Sequence, residues 1–240
     1  MADPKQFAAT HWSLVRIAQS DDASGTRARI ALESLCRAYW YPLYTFIRMR
    51  GYSTADAQDL TQAFFARFIA TGGFASADSG RGRFRNYLLG SLKNFLANEW
   101  NRARMQKRGG EVTFLEWDAL DPEKRYALEP AQNTDPELSY DREWALESIA
   151  RARKKLREEF ESAGKAELFD VLKGCLTSQA PSREVTAARL GMNEGAVKVA
   201  THRLRRRFRQ ILRNEIAETV GSSEEIDEEM RYLVAILRQG

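Results

Sequence analysis

The chain has few of the residues that cross-link small secreted proteins or carry out catalysis. Its 240 residues include two cysteines, Cys36 and Cys175, and two histidines. The cysteines are far apart and lack the spacing of a zinc site or a disulfide framework, so we expect two buried, reduced thiols. No apolar run approaches the ~20 residues that span a bilayer, and the first residues lack the layout of a secretory signal. These absences predict a cytoplasmic protein with no membrane partner.

Side chains for enzymatic chemistry are also scarce. His11 and His202 are isolated in the sequence, and there is no glycine-rich phosphate loop. Asp56 and Asp59 form a carboxylate pair, but no further acid joins them in a pattern that would bind catalytic metal ions. We therefore expect a protein that is not an enzyme and that needs no metal or cofactor.

Patterns typical of β-strands are rare, whereas apolar residues recur widely at spacings of three and four. This periodicity predicts an all-α fold. Pro42 is expected to kink one long helix, Gly51 to follow its end, and Ser53 or Thr54 to cap the next helix. The predicted helices cover residues 10–20, 25–50, 54–69, 84–106, 137–161, 165–178, two segments within 182–208, and 224–237.

Charge is segregated along the chain, although the net charge is only +4. Residues 1–108 carry 16 basic and 8 acidic side chains, and residues 141–213 carry 17 and 10. Residues 109–140 carry 2 basic and 8 acidic side chains, and residues 214–240 carry 2 and 7. Two basic blocks thus alternate with two acidic ones. Basic blocks of this kind favour nucleic-acid binding.

The charge pattern and the prolines predict the domain boundaries. Pro122 and Pro130 lie in an acidic stretch with few periodic apolar positions, which is typical of an extended linker. We predict two helical domains joined by this linker, the second containing a helix-turn-helix. The predicted segments are a first domain at 1–108, the acidic linker at 109–136, a second domain at 137–215 and an acidic extension at 216–240.

The first basic block ends in a stretch where cations and rings alternate, residues 80–110. Either this is a solvated helix flank, or it holds a polyanion whose bases can stack on aromatic faces. Phe84 and Phe95 are expected to belong to the core. The basic side chains are expected to contact nucleic acid.

The second basic block contains the pattern of a helix-turn-helix at 181–208. Ser182 is expected to cap a first helix, Gly191 to allow a tight turn and Asn193 to cap a second helix. The residues predicted to face inward are Val185, Ala188 and Leu190 in the first helix, and Val197, Leu204 and Phe208 in the second. The outer face of the second helix carries Lys198, Thr201, His202, Arg203, Arg205, Arg206 and Arg207. Such a face suits the major groove and the phosphate backbone of DNA, and a helical hairpin with a solvated basic face is the alternative.

Three stretches together resemble bacterial RNA polymerase sigma factors of the extracytoplasmic-function (ECF) type. DAQDLTQAFFARF at 56–68 resembles the family's acidic helix, and FRNYLLGSLKNFLANEWNRAR at 84–104 resembles its promoter-melting helix. Residues 181–208 resemble its upstream-element reader, with GAVK at 195–198 matching the family's GTVK pattern. The three stretches come in the family's order, and the resemblance covers about residues 25–213.

The resemblance implies core RNA polymerase and promoter DNA as partners. It assigns polymerase-clamp binding to Asp56, Asp59, Gln62 and Ala63. It assigns recognition and melting of the −10 element to Arg85, Tyr87, Lys93, Asn94, Asn98, Arg102 and Arg104. It assigns the −35 element to the seven outward residues of the helix-turn-helix, and it implies that the linker threads through polymerase cavities. An anti-sigma partner remains an open question.

The acidic helix is weaker in negative charge than the family's, because Gln58 and Ala63 stand where acids are common. A phosphate would restore about −1.5 to −2 charges. We therefore hypothesise that a Ser/Thr kinase phosphorylates Thr61 and so enables polymerase binding. A helical wheel puts Thr61 on the apolar side, so a buried β-branched residue is the alternative, and Ser53 and Thr54 are rival sites.

Two further alternatives remain open from the sequence. A stand-alone helix-turn-helix regulator would explain residues 181–208 but not the acidic helix, the melting helix or the linker. The C-terminal segment 221–240 carries a helical stripe that includes Ile226 and Leu233. It is expected to be a stabilising helix, or an acidic cover over a basic DNA-binding face.

Overall fold

The computed structural model describes residues 26–74, 76–78, 82–105, 126, 135–177, 181–217, 219–220 and 222–238, with the backbone alone at 26–28, 102–105 and 223. All regular elements among these residues are helices, which confirms the predicted all-α class. The predicted helix at 10–20 lies outside the described residues, as does the linker apart from Tyr126, Asp135 and Pro136.

The helices are numbered in chain order. They are α1 Thr26–Met49, α2 Thr54–Ala70, α3 Phe84–Met105, α4 Pro136–Ser162, α5 Ala166–Leu172, α6 Arg183–Leu190, α7 Glu194–Ala217 and α8 Ser223–Arg238. A 3₁₀ turn, Lys173–Leu176, continues α5, so the single helix predicted at 165–178 is two shorter pieces. None of the described helices combines the length and apolarity needed to cross a membrane.

The capping residues read from the sequence stand at the helix ends. Ser53 caps α2, because its Oγ accepts a hydrogen bond from the Asp56 N–H at 3.1 Å. Ser182 caps α6 in the same way through the Val185 N–H, at 3.2 Å. Gly191 follows α6 in the left-handed conformation, with φ of 61°. These contacts confirm the predicted N-terminal caps of α2 and α6 and the predicted glycine after α6.

The described chain divides into two compact units. Unit 1 comprises Met1–Ala145 and Ala217–Gly240, and unit 2 comprises Leu146–Ile216. The boundary therefore falls inside α4 rather than before it. Tyr140 and Trp144, in the first turns of α4, are fully buried and belong to unit 1. The C-terminal segment also belongs to unit 1.

Aromatic side chains form much of the core of unit 1. Phe84 and Phe95, at the start and middle of α3, are buried, as predicted. The Phe84 ring lies 5.3 Å from Tyr39 of α1, and the Phe95 ring lies 5.7 Å from Phe64 of α2, both edge to face. These contacts pack α3 against the first two helices.

One linker residue packs on this unit. The Tyr126 ring meets Tyr44 edge to face, and its hydroxyl lies 3.5 Å from the Met49 sulfur. The Arg48 guanidinium lies 4.8 Å from the ring centroid. Tyr126 therefore packs on α1. The sequence had predicted an extended linker without packing contacts.

Unit 2 has a separate apolar core. Its buried residues are Ala152, Leu156, Phe169, Leu172, Cys175, Ala187, Val197, Leu204 and Ile211. Val197 and Leu204 face inward as predicted, and Phe208 packs against the cluster. The buried Glu215 carboxylate of α7 pairs with Lys155 and, at 3.2 Å, with Arg151 of α4.

The prediction for the inner face of α6 was right for Leu190, which packs against the core, and wrong for Val185 and Ala188. Val185 is 60 % exposed and Ala188 is exposed, whereas Thr186 and Ala187 are buried. The Thr186 hydroxyl is satisfied by donating to the Ser182 carbonyl at 2.9 Å. A helix of two turns offers few apolar positions to fix its phase, and a shift of one residue rotates the inner face by about 100°.

Replacing Gly191 with alanine tests the turn between α6 and α7. The left-handed φ of 61° strains any residue with a Cβ, so Gly191→Ala should lower the free energy of unfolding by about 1 kcal/mol. Gly90→Ala is the control, because a Cβ within α3 would meet nothing within 4 Å and should stabilise by up to about 1 kcal/mol. Urea denaturation followed by circular dichroism measures both. Effects of the same sign would contradict the assigned conformation of Gly191.

Candidate nucleic-acid interface

The outward face of α7 is cationic and exposed. Lys198, His202, Arg203 and Arg206 are all exposed, while Val197 and Leu204 on the opposite side are buried. At about 100° per residue the four polar side chains fall within one broad stripe. Asn193 begins the helix by accepting from the Ala196 N–H at 2.7 Å. The stripe can therefore meet a polyanion without disturbing the core of unit 2.

Three of the residues predicted on this face also contact the body of unit 2. Arg205 donates from Nε to the Cys175 carbonyl at 2.9 Å, and the Thr201 hydroxyl lies 4.0 Å from the Cys175 sulfur. Arg207 makes a two-pronged pair with Glu159, at 2.6 and 2.7 Å. The hydrogen bond to Glu159 raises the pKa of Arg207. All three side chains position α7, and the two arginines also carry charge. To bind DNA, Arg207 would have to exchange Glu159 for a phosphate.

The solvent face of α3 carries a row of amides. Asn94, Asn98 and Asn101 are all exposed and follow one another at helical spacing. Asparagine amides can donate to and accept from the edges of bases. Asn101 was not among the predicted contacts, although the same spacing in the sequence would have included it. The side chains of Arg102 and Arg104 lie outside the described residues.

Two other predicted contacts of α3 are engaged within unit 1. The Tyr87 ring packs 5.9 Å from Phe68 and 6.4 Å from Phe84, and its hydroxyl donates to the Gly73 carbonyl at 2.8 Å. Lys93 pairs with Glu137 at the start of α4. In this conformation Tyr87 belongs to the packing of unit 1 and does not present its ring for stacking. Trp100, 55 % exposed, is a large ring on the surface of the same helix.

Arg85, one of the predicted −10 contacts, is buried in this conformation and is not available to DNA while α8 is docked. Its side chain is 2 % exposed and pairs with Glu229 of α8 at 2.8 Å and with Asp141 of α4. The guanidinium also lies 5.1 Å from the Trp144 ring and 5.0 Å from the Tyr232 ring. Arg85 therefore joins three helices of unit 1, and the resemblance alone gave no indication of these partners.

Burial and ion pairing together shift the pKa values of Arg85 and Tyr232 in this cluster. Burial alone would lower the pKa of Arg85, but the Asp141 and Glu229 carboxylates outweigh that effect and raise it. Burial, together with the hydrogen bond that the hydroxyl donates to Asp141, raises the pKa of Tyr232 to about 12. Arg85 is thus held as a cation and Tyr232 as a neutral donor across the physiological range.

The polar face of α2 is the surface predicted to meet the polymerase clamp. Asp56 and Asp59 are exposed, and Gln62 and Ala63 are half-buried. Asp56 also accepts a hydrogen bond from the Ser53 hydroxyl at 2.7 Å, so one acid of the pair helps to begin the helix. The face offers two outward carboxylates.

Thr61 also requires a correction, since it is fully buried. Its exposure is 0 %, and its hydroxyl donates to the Ala57 carbonyl at 2.7 Å. A kinase could reach this hydroxyl only if α2 came away from its neighbours. The deficit of acids on α2 is therefore not compensated at Thr61 in this conformation. Ser53 is exposed, although its hydroxyl serves as the cap of α2.

No cluster of three or more histidine, cysteine or acidic side chains that could hold a metal ion occurs in the described part of the chain. Comparison with known proteins finds no matching family model, no matching curated protein and no matching solved structure. The function is therefore argued from the surfaces of α2, α3 and α7 themselves.

A charge at Thr61 should unfold α2 rather than imitate a phosphate on its surface. Thr61→Glu is expected to lower the free energy of unfolding by about 3 kcal/mol or more, because an ionised carboxylate would have no partner there. Gln58→Glu adds the same charge at a half-buried position of α2 and should change stability by less than about 0.5 kcal/mol. Urea denaturation separates the two variants. Wild-type stability of Thr61→Glu would show that the position is accessible.

Removing Arg85 tests whether it is a structural residue. Arg85→Ala would leave two carboxylates of the cluster without their shared cation and should cost about 3 kcal/mol of unfolding free energy. Arg153→Ala, which removes an exposed cation from α4, should cost less than about 0.5 kcal/mol. Unchanged stability of Arg85→Ala together with weaker DNA binding would restore Arg85 as a DNA contact.

Proposed function

We propose that this protein is a sigma factor of the ECF type, which binds core RNA polymerase and directs it to promoters. The observation that carries the proposal is the exposed cationic stripe of α7, set on a capped helix that follows a tight turn. Arg and Lys on such a helix can read guanine edges in the major groove and contact phosphates. This stripe is the surface proposed to recognise the −35 element.

Unit 1 supplies the surfaces that polymerase binding and promoter melting would need. The Asn94, Asn98 and Asn101 amides suit the edges of unpaired bases, and the exposed Trp100 ring of the same helix suits stacking. The exposed carboxylates of Asp56 and Asp59 suit a basic partner surface such as that of the polymerase clamp. A helix-turn-helix regulator acting alone would leave these two faces of α2 and α3 without a role. Work with polymerase on promoter DNA implies the cytoplasm as the site of action.

One observation favours the stand-alone regulator as the second candidate. Arg85, Tyr87 and Lys93 are engaged within unit 1, whereas Lys198, Arg203 and Arg206 of α7 are exposed. In this conformation α7 is the more accessible surface for DNA. A stand-alone regulator would bind duplex DNA tightly without polymerase and would not support initiation.

Transcription from genomic promoter fragments tests the proposal. Core polymerase with the wild-type chain should give run-off product from a subset of genomic promoter fragments. Arg203→Ala/Arg206→Ala should reduce this product by at least about tenfold, because two groove or phosphate contacts are lost. Gel quantification of run-off RNA at fixed salt is the measurement.

The matched control removes the same charge elsewhere in unit 2. Arg153 and Lys154 are exposed on α4, and Arg153→Ala/Lys154→Ala should leave promoter-specific transcription within about twofold of wild type. Equal loss in both double variants would indicate non-specific attraction only. No product with the wild-type chain, combined with tight duplex binding by the chain alone, would favour the regulator.

A further inference from the structure

The first turn of α3 lacks negative groups of its own. Arg83 precedes the helix, and its carbonyl accepts from the Asn86 and Tyr87 N–H groups at 3.1 and 3.2 Å. Its side chain cannot accept a hydrogen bond as a capping residue would, and the first turn contains no acid. Arg83 and Arg85 instead add two cations at the positive end of the helix dipole. The start of α3 therefore needs an anionic partner from elsewhere.

The partner comes from the C-terminal segment of unit 1. Glu229 of α8, with 0 % exposure, pairs with Arg83 at 2.9 Å and with Arg85 at 2.8 Å. The Thr219 carbonyl accepts from the Phe84 N–H at 3.4 Å. Tyr232, one turn beyond Glu229 in α8, donates to Asp141. Thr219, Glu229 and Tyr232 thus cover the start of the helix proposed to contact the −10 element.

The charges of this cluster balance only while α8 is docked. Arg83 and Arg85 face Asp141 and Glu229, so two cations meet two carboxylates. Without α8, Arg85 would keep Asp141, Arg83 would lose both Glu229 and the Tyr232 ring, and the net charge would become +1. Arg83 is already 24 % exposed, so it would be the first side chain to reach solvent.

Docked α8 also presents negative charge outward. Asp227 and Glu228, which immediately precede the buried Glu229, are exposed. These acids add to the negative charge of the helix that carries Glu229. Docking of α8 therefore supplies the Glu229 carboxylate that pairs with both cations at the start of α3.

We propose that α8 is an autoinhibitory latch, in which Glu229 occupies Arg83 and Arg85 until α8 undocks and the start of α3 becomes a cationic surface for DNA phosphates. The latch rests on the proposed function, because it treats α3 as a DNA-binding helix. Phosphate and carboxylate compete for the same guanidinium groups, so DNA binding and α8 docking oppose each other.

The latch predicts that weakening α8 docking strengthens DNA binding by unit 1. The experiment uses the full chain carrying Arg203→Ala/Arg206→Ala, so that the cationic stripe of α7 contributes little. A fluorescently labelled, mixed-sequence single-stranded oligonucleotide is the probe, and anisotropy gives its Kd. Adding Glu229→Gln should tighten binding by about threefold or more, since Arg83 gains a phosphate partner. Hydrogen exchange should show faster exchange of α8 amides in the same variant.

Glu228→Gln is the matched control, because it makes the same change of charge at the neighbouring, exposed position of α8. It should tighten binding less than Glu229→Gln and leave α8 exchange unchanged. Equal Kd values for the two variants would overturn the latch and make α8 a structural brace. If circular dichroism shows that Glu229→Gln does not fold, Tyr232→Phe replaces it. That variant removes the hydrogen bond to Asp141 without changing charge, and an unchanged Kd would again overturn the latch.

The outcomes separate the latch from the proposed function. Transcription by the wild-type chain, with no effect of Glu229→Gln on binding beyond that of Glu228→Gln, would keep the sigma role and reject the latch. Tighter binding by Glu229→Gln, with no transcription by any variant, would keep the latch and reject the sigma role.

Discussion

The arrangement of unit 1 depends on the ion pairs that the Glu229 carboxylate makes with Arg83 and Arg85. The Glu229 carboxylate has no solvent exposure and holds both arginines at the start of α3, while Asp141 holds one of them from α4. A buried charge that loses its partner costs several kcal/mol, so none of these groups can be changed alone without consequence. The last helix of the chain is therefore a component of unit 1 and sets what the start of α3 can contact.

The remaining surfaces divide by chemistry. The cations of α7 face solvent because the apolar side of that helix, which includes Val197 and Leu204, is fixed in the core of unit 2. The amides of α3 face solvent because Leu88, Leu92 and Leu96 fix its other side in unit 1. A helix that is buried along one side exposes the opposite side to solvent. The packing of α3 and α7 therefore determines which side chains are available to DNA. The sigma-factor proposal uses both exposed stripes.

Local signals in the sequence predicted much of the fold. Ser53, Ser182 and Gly191 act within a turn of their own positions, and helix periodicity separates the two sides of α7. Long-range pairing could not be predicted in this way. Five acids crowd residues 224–229, and nothing local distinguishes Glu229 as the buried one. The burial of Arg85 was not predicted for the same reason, since its partners Asp141 and Glu229 lie far away in sequence. Thr61 differs, because the helical wheel already placed it on the apolar side of α2.

The most direct measurement of the central claim is whether the purified chain binds core RNA polymerase in the absence of DNA. Native mass spectrometry of the mixture reads this without any knowledge of the promoter. The account predicts a complex of one chain with one core enzyme, weakened when Asp56 and Asp59 are both replaced by asparagine. A chain that stays free of polymerase, while binding duplex DNA alone, would contradict it.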